Sequence, residues 1–151
     1  MSNITGDLDC YLHVEGFDDL VKELDFDKAV VRRGMLRAGR VISRRAQELV
    51  NQTTPSKPGQ YPAKKTGLLQ KSIKAKVKRS GFLVIAAPYR LPEQKDYYPA
   101  FLMYGVKNKA NAAKTWRIAP RHNFMQQALA DKAAEVSQIV SHALNQACKI
   151  K

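Results

Sequence analysis

Long apolar runs are missing from this sequence. Nothing approaches the roughly 20 consecutive apolar residues that a membrane-spanning helix needs, and the mean hydropathy is −0.40, so no membrane-spanning helix, and no membrane partner through one, is expected. Cysteine is scarce: Cys10 and Cys148 lie near opposite ends of the chain. A disulfide between them is conceivable, but two cysteines do not make the framework of a small secreted domain, and reduced thiols are expected. The three histidines, His13, His122 and His142, are scattered. None stands at metal-ligand spacing from a cysteine or a carboxylate pair, so neither metal nor other cofactor is expected. Met1 to Gly16 carries acids and no apolar centre, which excludes a secretory signal. A cytoplasmic protein follows, unless the chain leaves the cell inside a larger particle.

Reactive groups with a partner are also missing. There is no glycine-rich phosphate loop followed by Lys and Ser or Thr, and Lys64-Lys65-Thr66-Gly67 has the composition without the spacing. No serine sits in a nucleophile-elbow pattern. Glu93 and Asp96 lie in a polar loop, with nothing to frame them as a catalytic pair. His122 beside Arg121 could serve a nuclease, but a lone histidine at a helix start more often caps the helix or lines an interface. A chain without enzymatic activity is expected.

What is abundant is positive charge. The formal net charge is +13 over 151 residues, which calls for an acidic partner: nucleic acid, a membrane surface or an acidic protein face. Its distribution is uneven. Up to Asp27 there are eight acids and one base, Lys22; from Lys28 onward there are 25 bases and five acids. Between Leu49 and Pro92 no acid occurs at all, while nine bases do. Such polarity suits a subunit that meets its own copies head to tail, acid against base. The bland alternative is an ordinary solvated surface.

Periodicity sketches one domain over 1–151. Leu8, Cys10, Leu12 and Val14 alternate with polar residues, which predicts a short strand ended by Gly16. Phe17 to about Leu24 predicts a short helix. Asp27 can cap a longer helix to about Asn51. There Val31, Met35, Ala38, Ile42, Ala46 and Leu49 fall within about 80° of arc at 100° per residue, while Arg33, Arg37, Arg40 and Arg44 form a stripe on the opposite face. Gly34 and Gly39 each cost about 1 kcal/mol relative to Ala inside a helix, which implies close packing against another backbone or a bend.

Thr53 to Ala63, with Pro55, Pro58, Gly59 and Pro62, is a loop. It is long for a compact domain, which points to function or mobility. Leu68 to Ser72 predicts one helical turn. Ile73, Ala75 and Val77 alternate with Lys74, Lys76 and Lys78, a half-buried strand with a lysine outer face. Ser80-Gly81 turns the chain and Phe82 to Ala87 returns, giving a hairpin over 73–87. Tyr89 to Asp96 is a polar loop. Tyr98 to Gly105 reads as a short helix with a glycine C-cap, Val106 to Lys114 as a basic loop, and Thr115 to Ala119 as a third strand of the sheet. Pro120 leads into a last helix over about Asn123 to Cys148, with Met125, Leu129, Lys132, Val136, Val140, Ala143 and Ala147 on its face. The expected fold is α+β: two long helices packed on one side of a small, mainly antiparallel sheet.

The arginine stripe, the lysine strand and aromatics such as Tyr61, Tyr97, Tyr98 and Trp116 could form a groove for nucleic acid, bound through phosphates and stacking, and Lys64 and Lys65 are further candidates to face DNA or a protein interface. No helix-turn-helix, zinc-finger or RNA-recognition pattern is present, so sequence-specific reading is not expected. For the arginines the alternative is pairing with acids on neighbouring subunits.

Four local patterns occur in order: Val14-Glu15-Gly16-Phe17-Asp18-Asp19-Leu20; Thr66-Gly67-Leu68-Leu69-Gln70-Lys71-Ser72-Ile73; Tyr98-Pro99-Ala100-Phe101-Leu102-Met103-Tyr104-Gly105; and Ala119-Pro120-Arg121-His122-Asn123-Phe124-Met125-Gln126-Gln127-Ala128-Leu129. This order, over about 14 to 148, resembles the tail-completion (head–tail joining, neck) family of long-tailed double-stranded DNA bacteriophages. The segment from Thr66 to Ile73 is the most specific part. Met103-Tyr104-Gly105-Val106 stands where the family usually has Glu followed by Gly-Thr, and the Tyr89 to Tyr97 loop is longer and more charged. The resemblance implies a virion structural protein, assembled in the host cytoplasm into a homo-oligomeric ring, a hexamer by analogy with tail symmetry. The ring would sit where tail meets head and DNA passes. Implied partners are other neck and tail proteins and, without sequence readout, double-stranded DNA. Thr66, Gly67, Leu69, Ser72, Ile73, Phe101, Gly105, Pro120, Phe124 and Ala128 would be fold signatures, with Thr66 capping the turn after it and Pro120 and Phe124 starting and anchoring the last helix. The rival reading is a non-specific nucleic-acid-binding module acting alone.

Overall fold

A computed structural model describes residues 10–13, 25–93, 99–108 and 115–149. The expected helix at Phe17 to Leu24 lies outside the described residues. Among those described, the chain is mixed α+β. Strand β1 is Cys10–His13 and β2 is Asp25–Phe26. Helix α1 is Lys28–Leu49, followed by the short helix α2, Leu68–Ser72. Strands β3, Ile73–Val77, and β4, Leu83–Pro88, come next, then helix α3, Pro99–Tyr104. Strands β5, Val106–Lys107, and β6, Trp116–Ile118, precede helix α4, Phe124–Ala147, and β7, Cys148–Lys149.

Helix α1 starts where the sequence placed its cap. The Asp27 carboxylate accepts hydrogen bonds from the Ala29 and Val30 amides at 2.9 and 3.3 Å, satisfying two of the free donors of the first turn. Val31, Met35, Ala38, Ile42 and Ala46 are buried and Leu49 is half-buried. The helix lies against β3 and β4, and α4 packs along it and touches β1. Both glycines mark close approaches. A Cβ on Gly34 would sit 2.2 Å from Ala143 Cβ on α4, and one on Gly39 would sit 2.5 Å from Val84 Cγ2 and 2.9 Å from Ala75 Cβ in the sheet. Gly34 therefore sets the distance between the helices, and Gly39 the distance from helix to sheet.

The main sheet runs β1-β4-β3, antiparallel throughout, with Cys10 opposite Ala86 and Ile73 opposite Pro88. Its face toward α1 carries Ala75 and Val84, so Lys74 and Lys76 project from the other face. Because β3 is an edge strand, Gln47 on α1 secures it: the Gln47 amide donates to the Ile73 carbonyl at 2.9 Å.

Two sequence expectations are corrected. Trp116–Ile118 does not join this sheet; it pairs with Val106–Lys107 in a separate two-stranded ribbon, and β1 is the third strand. The Val106 to Lys114 segment accordingly begins as a strand. Nor does Pro120 open the last helix. Asn123 does, accepting from the Met125 and Gln126 amides at 3.1 Å each. Pro120 instead packs against the Gly105 turn, and its carbonyl accepts from the Gly59 amide at 3.1 Å. The proline-rich loop is thus pinned within the chain. The His122 amide also donates to the Gln60 carbonyl at 3.0 Å and the Lys64 amide to the Gln52 carbonyl at 2.7 Å. At the opposite end, β2 pairs with β7, Asp25 opposite Lys149, tying the start of α1 to the end of α4.

Candidate interaction surfaces

Arg33, Arg37, Arg40 and Arg44 are exposed along α1. None forms an ion pair among the described residues. Arg45, one position further round, behaves differently. It bonds Asp131 on α4 at 2.8 Å and Glu48 at 3.1 Å, and these hydrogen bonds, Asp131 foremost, raise its already high pKa. The Asp131 carboxyl is held below the usual range, first by a hydrogen bond from Gln127 and then by Arg45. Lys132 takes Glu135 at 2.8 Å. Of the four acids after Lys28 that fall among the described residues, three are therefore already paired.

The stripe carries a cost. Arg33 and Arg37, Arg37 and Arg40, and Arg40 and Arg44 are neighbours at three- and four-residue spacing, and each like-charge pair disfavours the helix by about 0.2–0.5 kcal/mol. Burial does not require these residues, and no ion pair among the described residues offsets the repulsion.

Part of the stripe borders a groove between the two long helices. It has a volume of about 420 Å³ and is lined by Val30, Arg33, Gly34 and Arg37 from α1 and by Gln138, Ile139, His142, Ala143 and Gln146 from α4. Gln138, His142 and Gln146 recur every four residues, so they share one face of α4. Sequence inspection missed these three; that spacing is the signal that could have found them.

Lys74, Lys76 and Lys78 do not join the arginines. The lysine row looks out from the far side of the sheet, away from α1, and Lys78 sits at the hairpin turn, where its carbonyl accepts from Arg32 at 3.5 Å. Lys76 lies 3.9 Å from the Tyr89 ring centroid. Positive side chains on an edge strand also block pairing with another sheet edge. Lys64 bonds Asn51 at 3.2 Å in the proline-rich loop, and Lys65 is exposed beside it. Tyr61 packs edge-on against His122, with ring centroids 4.9 Å apart, while Trp116 is exposed on β6. The structure therefore does not gather these groups into the single nucleic-acid groove that the sequence suggested. Tyr97 and Tyr98 lie outside the described residues.

The remaining motif residues are mostly structural. Thr66 Oγ1 accepts from the Leu68 amide at 3.4 Å, and Gly67 adopts φ +74°. Leu69, Ser72, Ile73, Phe124 and Ala128 are buried, with Ser72 Oγ donating to the Leu69 carbonyl at 2.6 Å. Phe101 is the exception. It is 45% exposed and, with Tyr104 and Trp116, belongs to the exposed large apolar side chains. Gly105, at φ +70°, lets Trp116 and the Ile118 carbonyl close against the backbone, so the Tyr104 and Trp116 positions are neighbours.

Among the described residues, no cluster of three or more His, Cys, Asp or Glu side chains could hold a metal, and no helix is long and apolar enough to cross a membrane. Comparison with protein-family models, with curated proteins and with solved structures gives no match to this chain.

Proposed function

We propose that this chain is a virion structural protein of a long-tailed double-stranded DNA phage, a tail-completion or neck subunit. It would assemble with its own copies into a ring, hexameric by analogy with tail symmetry, where tail joins head. The observation that carries the reading is the outward arginine ridge of α1: four guanidinium groups without a partner among the described residues, in a chain whose acids are concentrated before Lys28. The ordered motifs from Thr66 to Ala128 add to it, since their side chains serve turns, caps and core rather than a reactive centre. The role requires shaped, charged surfaces and no bond-making chemistry.

The test is genetic. Removing the gene from its phage is expected to yield filled heads and free tails that do not join, with joining restored by the protein supplied in trans. Normal virions without the protein would refute the role. The second reading, a non-specific nucleic-acid-binding module, draws on the exposed lysines of β3, which no acid offsets between Leu49 and Pro92. It expects a monomer that retards duplex DNA at physiological salt and is absent from particles.

A further inference from the structure

We infer that the groove between α1 and α4 is a receptor for carboxylate side chains of a second copy of this chain, supplied by its acid-rich stretch before Lys28. Every polar side chain that lines the groove among the described residues can donate a hydrogen bond: Arg33, Arg37, Gln138, His142 and Gln146. No acid lines it. Val30 and Ile139 form apolar walls, and the Gly34–Ala143 approach closes the floor between the helices. An anion seated there would be partly withdrawn from water, where a guanidinium–carboxylate pair is stronger than on an open surface.

The chain supplies the complementary group. Seven acids other than Asp27, which is spent capping α1, stand before Lys28 with a single base among them. Beyond Lys28 most described acids are engaged by Arg45 and Lys132. A second copy fits better than duplex DNA for a reason of shape. The groove is a concave recess of side-chain size, whereas a duplex is a convex rod whose phosphates would meet the outer ridge, Arg40 and Arg44, before the floor. A groove on one copy and an acidic stretch on the next form a heterologous contact, the kind that closes into a ring. The inference shares self-association with the proposed function but nothing about phage: copies that associate this way yet never enter a virion would refute the function and leave the inference intact.

A charge swap tests it. One variant carries Arg33→Glu with Arg37→Glu; the other carries Glu15→Lys, Asp18→Lys, Asp19→Lys and Glu23→Lys. Circular dichroism and melting temperature first establish that both fold. By sedimentation velocity at low salt, the wild type is expected to associate with rising concentration, and each variant alone to associate at least about tenfold more weakly. An equimolar mixture of the two is expected to recover wild-type association, because each variant's groove then meets the other's opposite charge. A wild type that stays monomeric throughout overturns the inference, as does a mixture no better than its components. So would a groove variant that loses duplex DNA binding at unchanged self-association, which assigns the groove to phosphodiesters. A groove variant that loses thermal stability as a monomer with association unaltered would overturn it too, by assigning the groove to the chain's own acids.

Discussion

Gly34 occupies a point where helix α1 has no room for a methyl group. The atom it would meet is Ala143 Cβ, which is attached directly to backbone and cannot swing aside. Gly34→Ala gains helix propensity of about 1 kcal/mol but forces two backbones apart, and overpacking of this kind costs about 1–3 kcal/mol. The expected outcome is a net loss of stability in chemical denaturation. The double variant with Ala143→Gly is expected to recover part of the loss, giving a coupling energy of opposite sign to the single effects; strict additivity would show that the two residues do not limit the approach. Asp131 offers a second test. Its pKa is lowered in the folded chain by Gln127 and Arg45, so its stabilising contribution is present above the usual carboxylate range and is lost as pH falls through the depressed folded value. Melting temperatures of wild type and Asp131→Asn are therefore expected to differ at neutral pH and to converge in acid. A constant difference across the titration would argue against this linkage.

At the scale of elements, α1 places an apolar arc and a charged arc on one cylinder. Replacing Arg37 and Arg40 by Glu turns two of the three like-charge contacts in the stripe into attractive ones and leaves one repulsive, each worth about 0.2–0.5 kcal/mol. The double variant is thus expected to keep its far-ultraviolet circular dichroism and to melt no lower than wild type, while failing to assemble. Unfolding would mean that the stripe is buried. These two long helices were legible in the sequence because each sustains a 3.6-residue period over more than 20 residues, and the first opens on a recognisable capping side chain, Asp27. The β5–β6 ribbon was not. A strand of two or three residues has no period to read, and Phe101, expected as a fold signature, is left exposed with Tyr104 and Trp116. Pro120 misled for a related reason: proline favours a helix start, but here its carbonyl and ring are used by Gly59 and Gly105.

For the whole molecule, charge and shape were legible to different degrees. The stripe was visible as a spacing; the groove was not, because more than half of its described lining comes from α4 and only packing brings Gln138 and His142 beside Arg33 and Arg37. Packing also sets the lysine row of β3 on the side of the sheet away from α1, which separates two parts of the positive charge. A molecule with separate basic faces and an acid-rich stretch is suited to several neighbours at once, and its association is expected to depend on salt in a graded way. Contacts between exposed charges weaken as the Debye length falls from about 30 Å at 0.01 M to about 3 Å at 1 M salt, whereas charges seated in a groove are screened less. Sedimentation across that range is expected to show self-association weakening without vanishing if the groove carries the contact. In the Arg33→Glu, Arg37→Glu variant, any association that remains comes from the exposed ridge alone and is expected to disappear at high salt. Equal salt sensitivity in wild type and variant would place the contact on the open surface, and would return Arg40 and Arg44 to the centre of the interface.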